Sequence, residues 1–341
     1  MKQKQVKAIL LALSAALFYA ISIPLSKLIL RQASPTMVAA FCYLGAGLGI
    51  GFIYLFKRKK ESSKEKLSKK DLPYTLAMIL LDVLAAILLM NGVALTTAAN
   101  ASLLNNFEIV ATSSIAFMIF KEKCSWRMVV AIVLITLSSF VLSFEGSASL
   151  SFSTGSLMVL GAAICWGAEN NCTRMISSKS TYEIVMIKGL CSGTCSLIIA
   201  LIIGESWPSL SLIAMILALG FISYGLSIFT YIKAQAIIGA AKTSAFYALA
   251  PFIGALFSFI VLGESLSSSY ALGSLIMIAG SSLAIIDTLK YQHAHMHTHT
   301  IYHLHHGVME KEVITHTHEH TRISVQCVLT IIRIIRSLHS V

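Results

Sequence analysis

Ten apolar runs, each about the length that crosses a bilayer as a helix, fill the chain between residues 7 and 286. They lie at about 7–30, 36–56, 72–91, 101–120, 127–144, 154–176, 184–203, 209–232, 240–262 and 266–286. Helices satisfy their own backbone hydrogen bonds, so runs of this kind predict an all-α integral membrane protein. Composition agrees: charged residues make up 12% of the 341, against about 25% in soluble domains, and mean hydropathy is +0.80. Such a chain lacks the polar surface to face water.

The remaining charge is one-sided. A net charge of +11 would suggest nucleic acid in a soluble protein. Here it is explained by basic loops on one face of a membrane, and no nucleic-acid partner is expected. With the N-terminus cytoplasmic, the inner side collects Lys2, Lys4, Lys7, the KRKKESSKEKLSKK loop of residues 57–70, Lys121, Lys123, Arg127, Arg174, Lys179, Lys233, Lys242 and Lys290. Arg31 alone is left outside, and the loops 145–155, 204–211 and 263–269 carry no basic residue. That asymmetry predicts ten spans in the plasma membrane with both termini cytoplasmic. The lysines before the first apolar run mimic a signal peptide. The run is long, has no small-x-small cleavage site and is matched later in the chain, so it reads as a helix. Cys42, Cys165, Cys172, Cys191 and Cys195 lie in apolar runs and read as small buried residues rather than a disulfide framework.

The chain also repeats itself. ALTTAANASLLNNFEIVATSSIAFMIFKEK (94–123) is echoed by AIIGAAKTSAFYALAPFIGALFSFIVLGES (236–265). Ala98-Ala99 answer to Ala240-Ala241, Ser102 to Ser244 and Glu122 to Glu264, while Glu108 is answered by Ala250 beside Pro251. LSAALFYAISIPLSKLI (13–29) falls without a gap on LGAAICWGAENNCTRMI (160–176), placing Tyr19 on Trp166 and Lys27 on Arg174. The units are residues 1–145 and 154–287, five spans each, followed by a tail at 288–341. An odd number of spans per unit forces the second copy to enter the membrane inverted. Inverted repeats are a mark of secondary transporters, whose substrate sites lie near the midplane.

Two five-helix repeats, the aromatic-small pairs Phe18-Tyr19-Ala20 and Cys165-Trp166-Gly167, the polar pattern at 94–108 and the closing LGE at 262–264 resemble the EamA group of the drug/metabolite transporter superfamily. The resemblance covers about residues 7–287. It implies ten helices, cytoplasmic termini and movement of small metabolites such as amino acids or related solutes. Glu108-Ile109 and Ala250-Pro251 stand where the family often shows Glu-Pro, so neither copy of that motif is complete.

Ionisable residues at membrane depth are costly and point to function. Asn105, Glu108 and Thr112 share one face of the fourth run by helical spacing, suited to an ammonium group or a proton. Trp166, Glu169 and Thr173 line a face of the sixth, with Asn170 beside them. An aromatic wall next to an acid suits a cationic or zwitterionic solute. An equally open reading leaves this cluster wet at the cytoplasmic end near Arg174. Asp82, Lys27 and Arg174 are candidates for a coupling or structural ion pair, with Asp82 reaching either Lys27 or Lys188. Pro251 can bend the ninth run, with Tyr247, Gly254 and Ser258 on its face. Gly220, Tyr224, Ser227 and Tyr231 make a similar face on the eighth. Gly45, Gly47 and Gly49 read as close helix packing.

The eleven histidines all follow residue 290. His293, His295, His297, His299, His303, His305, His306, His316, His318 and His320 form His-x-His runs able to chelate a divalent metal. The tail is expected to be disordered, with no fixed metal geometry. Residues 323–341 suit a short interfacial amphipathic segment. No nucleotide-binding or hydrolase motif is present, so an enzyme is not expected. The expected function is a transporter of small organic metabolites working by alternating access. Its partners are a small-molecule substrate and the bilayer, no cofactor is required, and a second copy of the chain is a candidate partner. The alternative is a divalent metal-ion transporter or a metal-responsive sensor using the tail.

Overall fold

The computed structural model describes residues 2–57, 66–119, 125–143, 153–176, 179–238, 243, 246–264, 267–291, 294–305 and 308–319. Residues 1–284 form one compact unit and residues 285–341 a second. The helices are α1 (Lys2–Ala20), α2 (Ser22–Ile29), α3 (Pro35–Lys57), α4 (Leu72–Leu95), α5 (Ala98–Leu104), α6 (Phe107–Met118) and α7 (Trp126–Leu142). They continue with α8 (Thr154–Met175), α9 (Thr181–Ile202), α10 (Leu210–Gly220), α11 (Ser227–Ile238), α12 (Ala250–Leu262) and α13 (Ser268–Tyr291). Among the described residues six helical segments are long and apolar enough to cross a membrane, two of them, Val6–Ile29 and Leu210–Ala234, running through a helix break, and Trp126–Leu142 and Ala250–Leu262 are shorter apolar helices. Large apolar side chains such as Leu80, Ile202 and Leu210 are exposed along them, as a lipid-facing surface requires.

Several expected spans are interrupted. Ile21 separates α1 from α2, because Pro24 has no N–H for the carbonyl of Ala20. In the expected 101–120 helix the chain turns at Asn105-Asn106. There the Glu108 and Ile109 N–H groups bond three residues back, to Asn105 and Asn106, at 3.1 and 3.0 Å. This tight pitch is the 3₁₀ solution, and asparagine favours it over continuous helix. Glu108 therefore lies in the first turn of α6, not two turns into a continuous helix. A π-helical segment, Phe221–Leu226, joins α10 to α11. Pro251 stands in the first turn of α12, after a turn at 248–249, so it starts a helix instead of bending one.

Glycines set how closely α3 packs. A Cβ added to Gly220 would stand 1.9 Å from the carbonyl oxygen of Cys42, and one on Gly45 would stand 2.1 Å from that of Leu217. Only hydrogen fits between these backbones, which is the packing role read from the sequence.

Two carboxylates close one end of the bundle. Glu205 accepts the Thr36 and Met37 N–H groups at 3.2 and 2.8 Å. Glu264 accepts those of Ala98 and Ala99 at 2.7 and 2.9 Å. Each satisfies two orphan donors of a helix N-terminus and opposes the dipole's positive end. Lys27 does the converse. Its ammonium donates to the Val93, Ala94 and Thr96 carbonyls at 2.7, 3.0 and 2.7 Å, capping α4. Glu264→Ala and Glu205→Ala are each expected to cost about 1–2 kcal/mol, read as earlier thermal unfolding in detergent. Parent-like unfolding would mean that these carboxylates do not hold the end closed.

At the opposite end Glu183 accepts from the Tyr54 hydroxyl at 3.0 Å and the Leu67 N–H at 2.8 Å, and Lys179 meets Asp71 at 3.6 Å. A cavity of about 270 Å³ opens there, lined by Ile50, Tyr182, Val185, Gly225, Phe229 and Lys233 among others.

In the second unit, β1 (Ala294–His305) and β2 (Val308–Glu319) pair as an antiparallel hairpin. His295 stands opposite His318, and His297 opposite His316. This differs from the expected disordered tail, and the cause is visible in the sequence: His-x-His alternation has the period of a strand. His293, His306, His320 and residues 321–341 lie outside the described residues, as do Lys121, Glu122 and Ser244.

Candidate functional site

The helix interruptions converge on Tyr19, at the end of α1. Its hydroxyl accepts from Asn105 Nδ2 at 2.9 Å. Its ring meets those of Tyr224 (centroids 6.0 Å apart) in the π segment and Tyr247 (5.7 Å) beside the turn before α12. Tyr43 of α3 extends the row to Tyr224 at 5.5 Å, and Tyr231 of α11 to Tyr247 at 5.2 Å. Broken helices leave backbone and polar side chains without their usual partners, which is how a bundle builds a polar site in its apolar interior. Among the described residues, Asn105 Oδ1 and the Ser102 hydroxyl are buried with no hydrogen-bond partner.

Two polar groups adjoin this aromatic row. In the first, Asn170 Nδ2 of α8 donates to Glu108 Oε1 of α6 at 2.6 Å and to the Thr112 hydroxyl at 3.4 Å. Asn171 Nδ2 reaches the Thr112 carbonyl at 3.2 Å, fixing the two helices together. Gly167 permits that contact, since a Cβ there would stand 2.4 Å from Ala111 Cβ. Tyr19, Glu108, Thr112, Asn170 and Tyr247 are only partly buried, so they border accessible space.

The second group is buried. Lys188 of α9 lies 3.1 Å from Asp82 Oδ2 of α4 and 3.1 Å from Glu169 Oε2 of α8. Asp82 Oδ1 accepts from the Tyr43 hydroxyl at 3.1 Å and from Trp166 Nε1 at 3.2 Å. Glu169 Oε1 is bonded to the Thr173 hydroxyl. Asp82 has no exposed surface, Glu169 is 2% exposed and Trp166 6%. Two carboxylates thus share one ammonium in the core, more acid groups than a single structural ion pair requires.

The expected faces mostly meet here. Glu108 and Thr112 meet Asn170, Asn105 meets Tyr19, Glu169 meets Thr173 and Lys188, and Tyr224 and Tyr247 each pack against Tyr19. Lys27 is not Asp82's partner, because it is committed to the end of α4. Arg174 lies exposed in the last turn of α8. Tyr43 gave no signal of its own in a small, apolar run. In the sequence Lys188 stands out only as an alternative partner for Asp82, although a cation at that depth is a functional signal in itself. Among the described residues no group of three or more His, Cys, Asp or Glu could hold a metal ion.

Comparison with known proteins fits this arrangement. An archaeal protein named an uncharacterized transporter, from Methanothermobacter thermautotrophicus, is 30% identical over 286 residues, covering 79% of this chain and 83% of its own length. Bacillus subtilis uncharacterized transporter YyaM is 23% identical over 299 residues, covering 84% of this chain and 97% of its own. A solved crystal structure superposes with a TM-score of 0.59 at 16% identity, over 81% of this chain and 95% of that one, a likeness of fold. The family model described as EamA-like transporter family matches twice, over residues 6–144 and 153–286. A repeated match across nearly all of the helical bundle places this multi-pass membrane protein in the EamA-like transporter family.

Proposed function

We propose that the protein carries small organic solutes bearing an ammonium group, amino acids or related amines, across the plasma membrane by alternating access. The observation that carries this reading is the convergence of helix interruptions on an aromatic row flanked by Glu108. Tyrosine faces and a carboxylate together suit a cation with an apolar body. The unpartnered Asn105 Oδ1 and Ser102 hydroxyl can take N–H groups of the solute. Ten spans in two inverted repeats of five, with residues 57–70 and both termini cytoplasmic, are part of the proposal. Under it the carboxylate-capped end faces outward and the cavity with Lys179 and Lys233 forms an inner vestibule. The reading is supported by Val185 and Gly225 on that cavity's wall, one helical turn from Lys188 and next to Tyr224.

Uptake and efflux in proteoliposomes across amino acids, amines and divalent metals tests the reading. Transport of ammonium-bearing solutes is expected, and transport confined to metals would overturn it. The metal alternative rests on the tail, where opposed His295–His318 and His297–His316 suit chelation. Deleting residues 293–341 is expected to spare solute transport. In a cysteine-free background, single cysteines at 57–70 should resist labelling from outside while those at 145–155 react; the reverse pattern would invert the orientation.

A further inference from the structure

We propose that one face of the tail hairpin binds a divalent ion, zinc or a first-row neighbour, at the four positions His295, His297, His316 and His318. The inference concerns the second unit alone and does not depend on what the helical bundle carries.

The strand register makes the site. In an antiparallel pair, residues directly opposite each other share a face, and so does every second residue along each strand. Ala294 pairs with Glu319 and His305 with Val308, so the odd positions of β1 share a face with the even positions of β2. All seven histidines of the two strands fall on that face, and none on the other. A slip of one residue would carry the β2 histidines to the opposite face and split the set. The histidine-free face places Thr298 opposite Thr315 and Thr300 opposite Val313. Cross-strand pairs of β-favouring residues support the register that unites the histidines.

Within the face, the open end of the hairpin is all imidazole. His295 stands opposite His318, and His297 opposite His316. Opposed Cα atoms lie about 4.5–5.5 Å apart, and same-face neighbours along one strand roughly 6.5–7 Å. Four histidines at the corners of such a rectangle are close enough to share one ion at Zn–N distances of about 2.0–2.1 Å. The block ends at His299, which stands opposite Ile314, and the next histidine, His303, is opposite Glu310. Nitrogen donors suit zinc, nickel and copper, whereas magnesium and calcium take oxygen. A His-x-His run on one strand offers two donors, and pairing the strands doubles them. Among the described residues no three such groups form a ready-made centre. The ion therefore draws the imidazoles together, and its binding tightens a two-stranded hairpin that is marginal alone.

The rival is diffuse chelation, in which any few histidines of the tail serve equally. Diffuse chelation depends on the number of histidines, and the paired site depends on their register. That difference decides the test.

The test uses the full chain in detergent, with cobalt(II) as the spectroscopic probe and zinc competing against a chromophoric chelator. The parent should take up one tight ion and show the intense visible bands of tetrahedral cobalt. Zinc should displace the cobalt, and excess magnesium or calcium should not. Exchanging two neighbours, His297→Thr with Thr298→His, keeps the composition but moves one histidine to the other face. It should abolish the tetrahedral bands and weaken zinc binding by at least the roughly 10–100-fold that disturbing a metal's outer partners costs. His303→Asn removes a histidine outright, yet it should leave the bands and the affinity of the tight ion unchanged. Backbone amide exchange gives a second readout. Zinc should slow exchange across 294–305 and 308–319 in the parent but not in the exchanged variant. Equal loss in the two variants, or loss in neither, means diffuse chelation and overturns the proposal. Loss confined to His303→Asn, or a parent that binds no tight ion, overturns it as well. Solute transport enters none of these readouts, so failure here leaves the solute reading standing.

Discussion

Lys188→Met is expected to cost about 3–5 kcal/mol of stability, the penalty typical for removing one partner of a buried ion pair. Methionine matches the length of the lysine stem, so the loss comes from charge and not from a cavity. Without the ammonium, Asp82 and Glu169 face each other from α4 and α8 in an apolar interior, each having lost a contact of 3.1 Å. The 17% of Lys188 side-chain surface that remains exposed lets water soften this, so the lower part of the range is expected. The measurement is thermal or detergent-induced unfolding of the purified protein. Asp82→Asn and Glu169→Gln added to Lys188→Met should restore most of the loss, because a neutral hydrogen-bonded set avoids the desolvation of three charges. Parent-like unfolding of the single variant would mean that the triad is not assembled as described.

The membrane fold was legible because hydropathy reports directly on lipid exposure. Runs such as 36–56 and 184–203 became α3 and α9 with nearly the expected limits. Interruptions within the runs were not legible. Asn105-Asn106 has no proline or glycine to announce a break, and the π segment at Phe221–Leu226 leaves no mark in residue spacing. Both depend on neighbours satisfying the freed backbone, which a sequence does not display. Pro251 was readable as a proline effect, but only packing shows that it begins α12 instead of bending a helix, and Pro24, where α1 gives way to α2, is likewise seen only in the fold. The aligned aromatics Tyr19 and Trp166 do both reach the site, so the repeat carried information about it. Residue spacing alone allows Asp82 either Lys27 or Lys188, since sequence fixes approximate depth and not the side of a helix. The Glu205 and Glu264 caps join segments more than 160 residues apart, a relation no local pattern encodes.

Glu108→Gln is expected to lower transport of ammonium-bearing solutes by about 10–100-fold, the equivalent of losing one charge-assisted hydrogen bond of roughly 1.5–3 kcal/mol. The substitution is conservative in shape. Gln Oε1 can still accept from Asn170 Nδ2, now at 2.6 Å from Glu108, so the α6–α8 contact and the fold should survive. Removed is the negative charge beside the tyrosine row, where Tyr19 and Tyr247 are partly open to solute. If Glu108 meets the ammonium in the bound state, KM should rise more than the maximal rate falls, and neutral solutes should be spared. Asn170→Ala should have a smaller effect of the same kind, because it misplaces the carboxylate but leaves its charge. Initial uptake rates over a concentration series for matched cationic and neutral solutes make the comparison. Equal loss for both solute types would point to damaged helix packing instead of ammonium recognition. Parent-like rates for the cationic solute would make Glu108 structural and move the solute site toward Tyr224, Tyr231 and Tyr247.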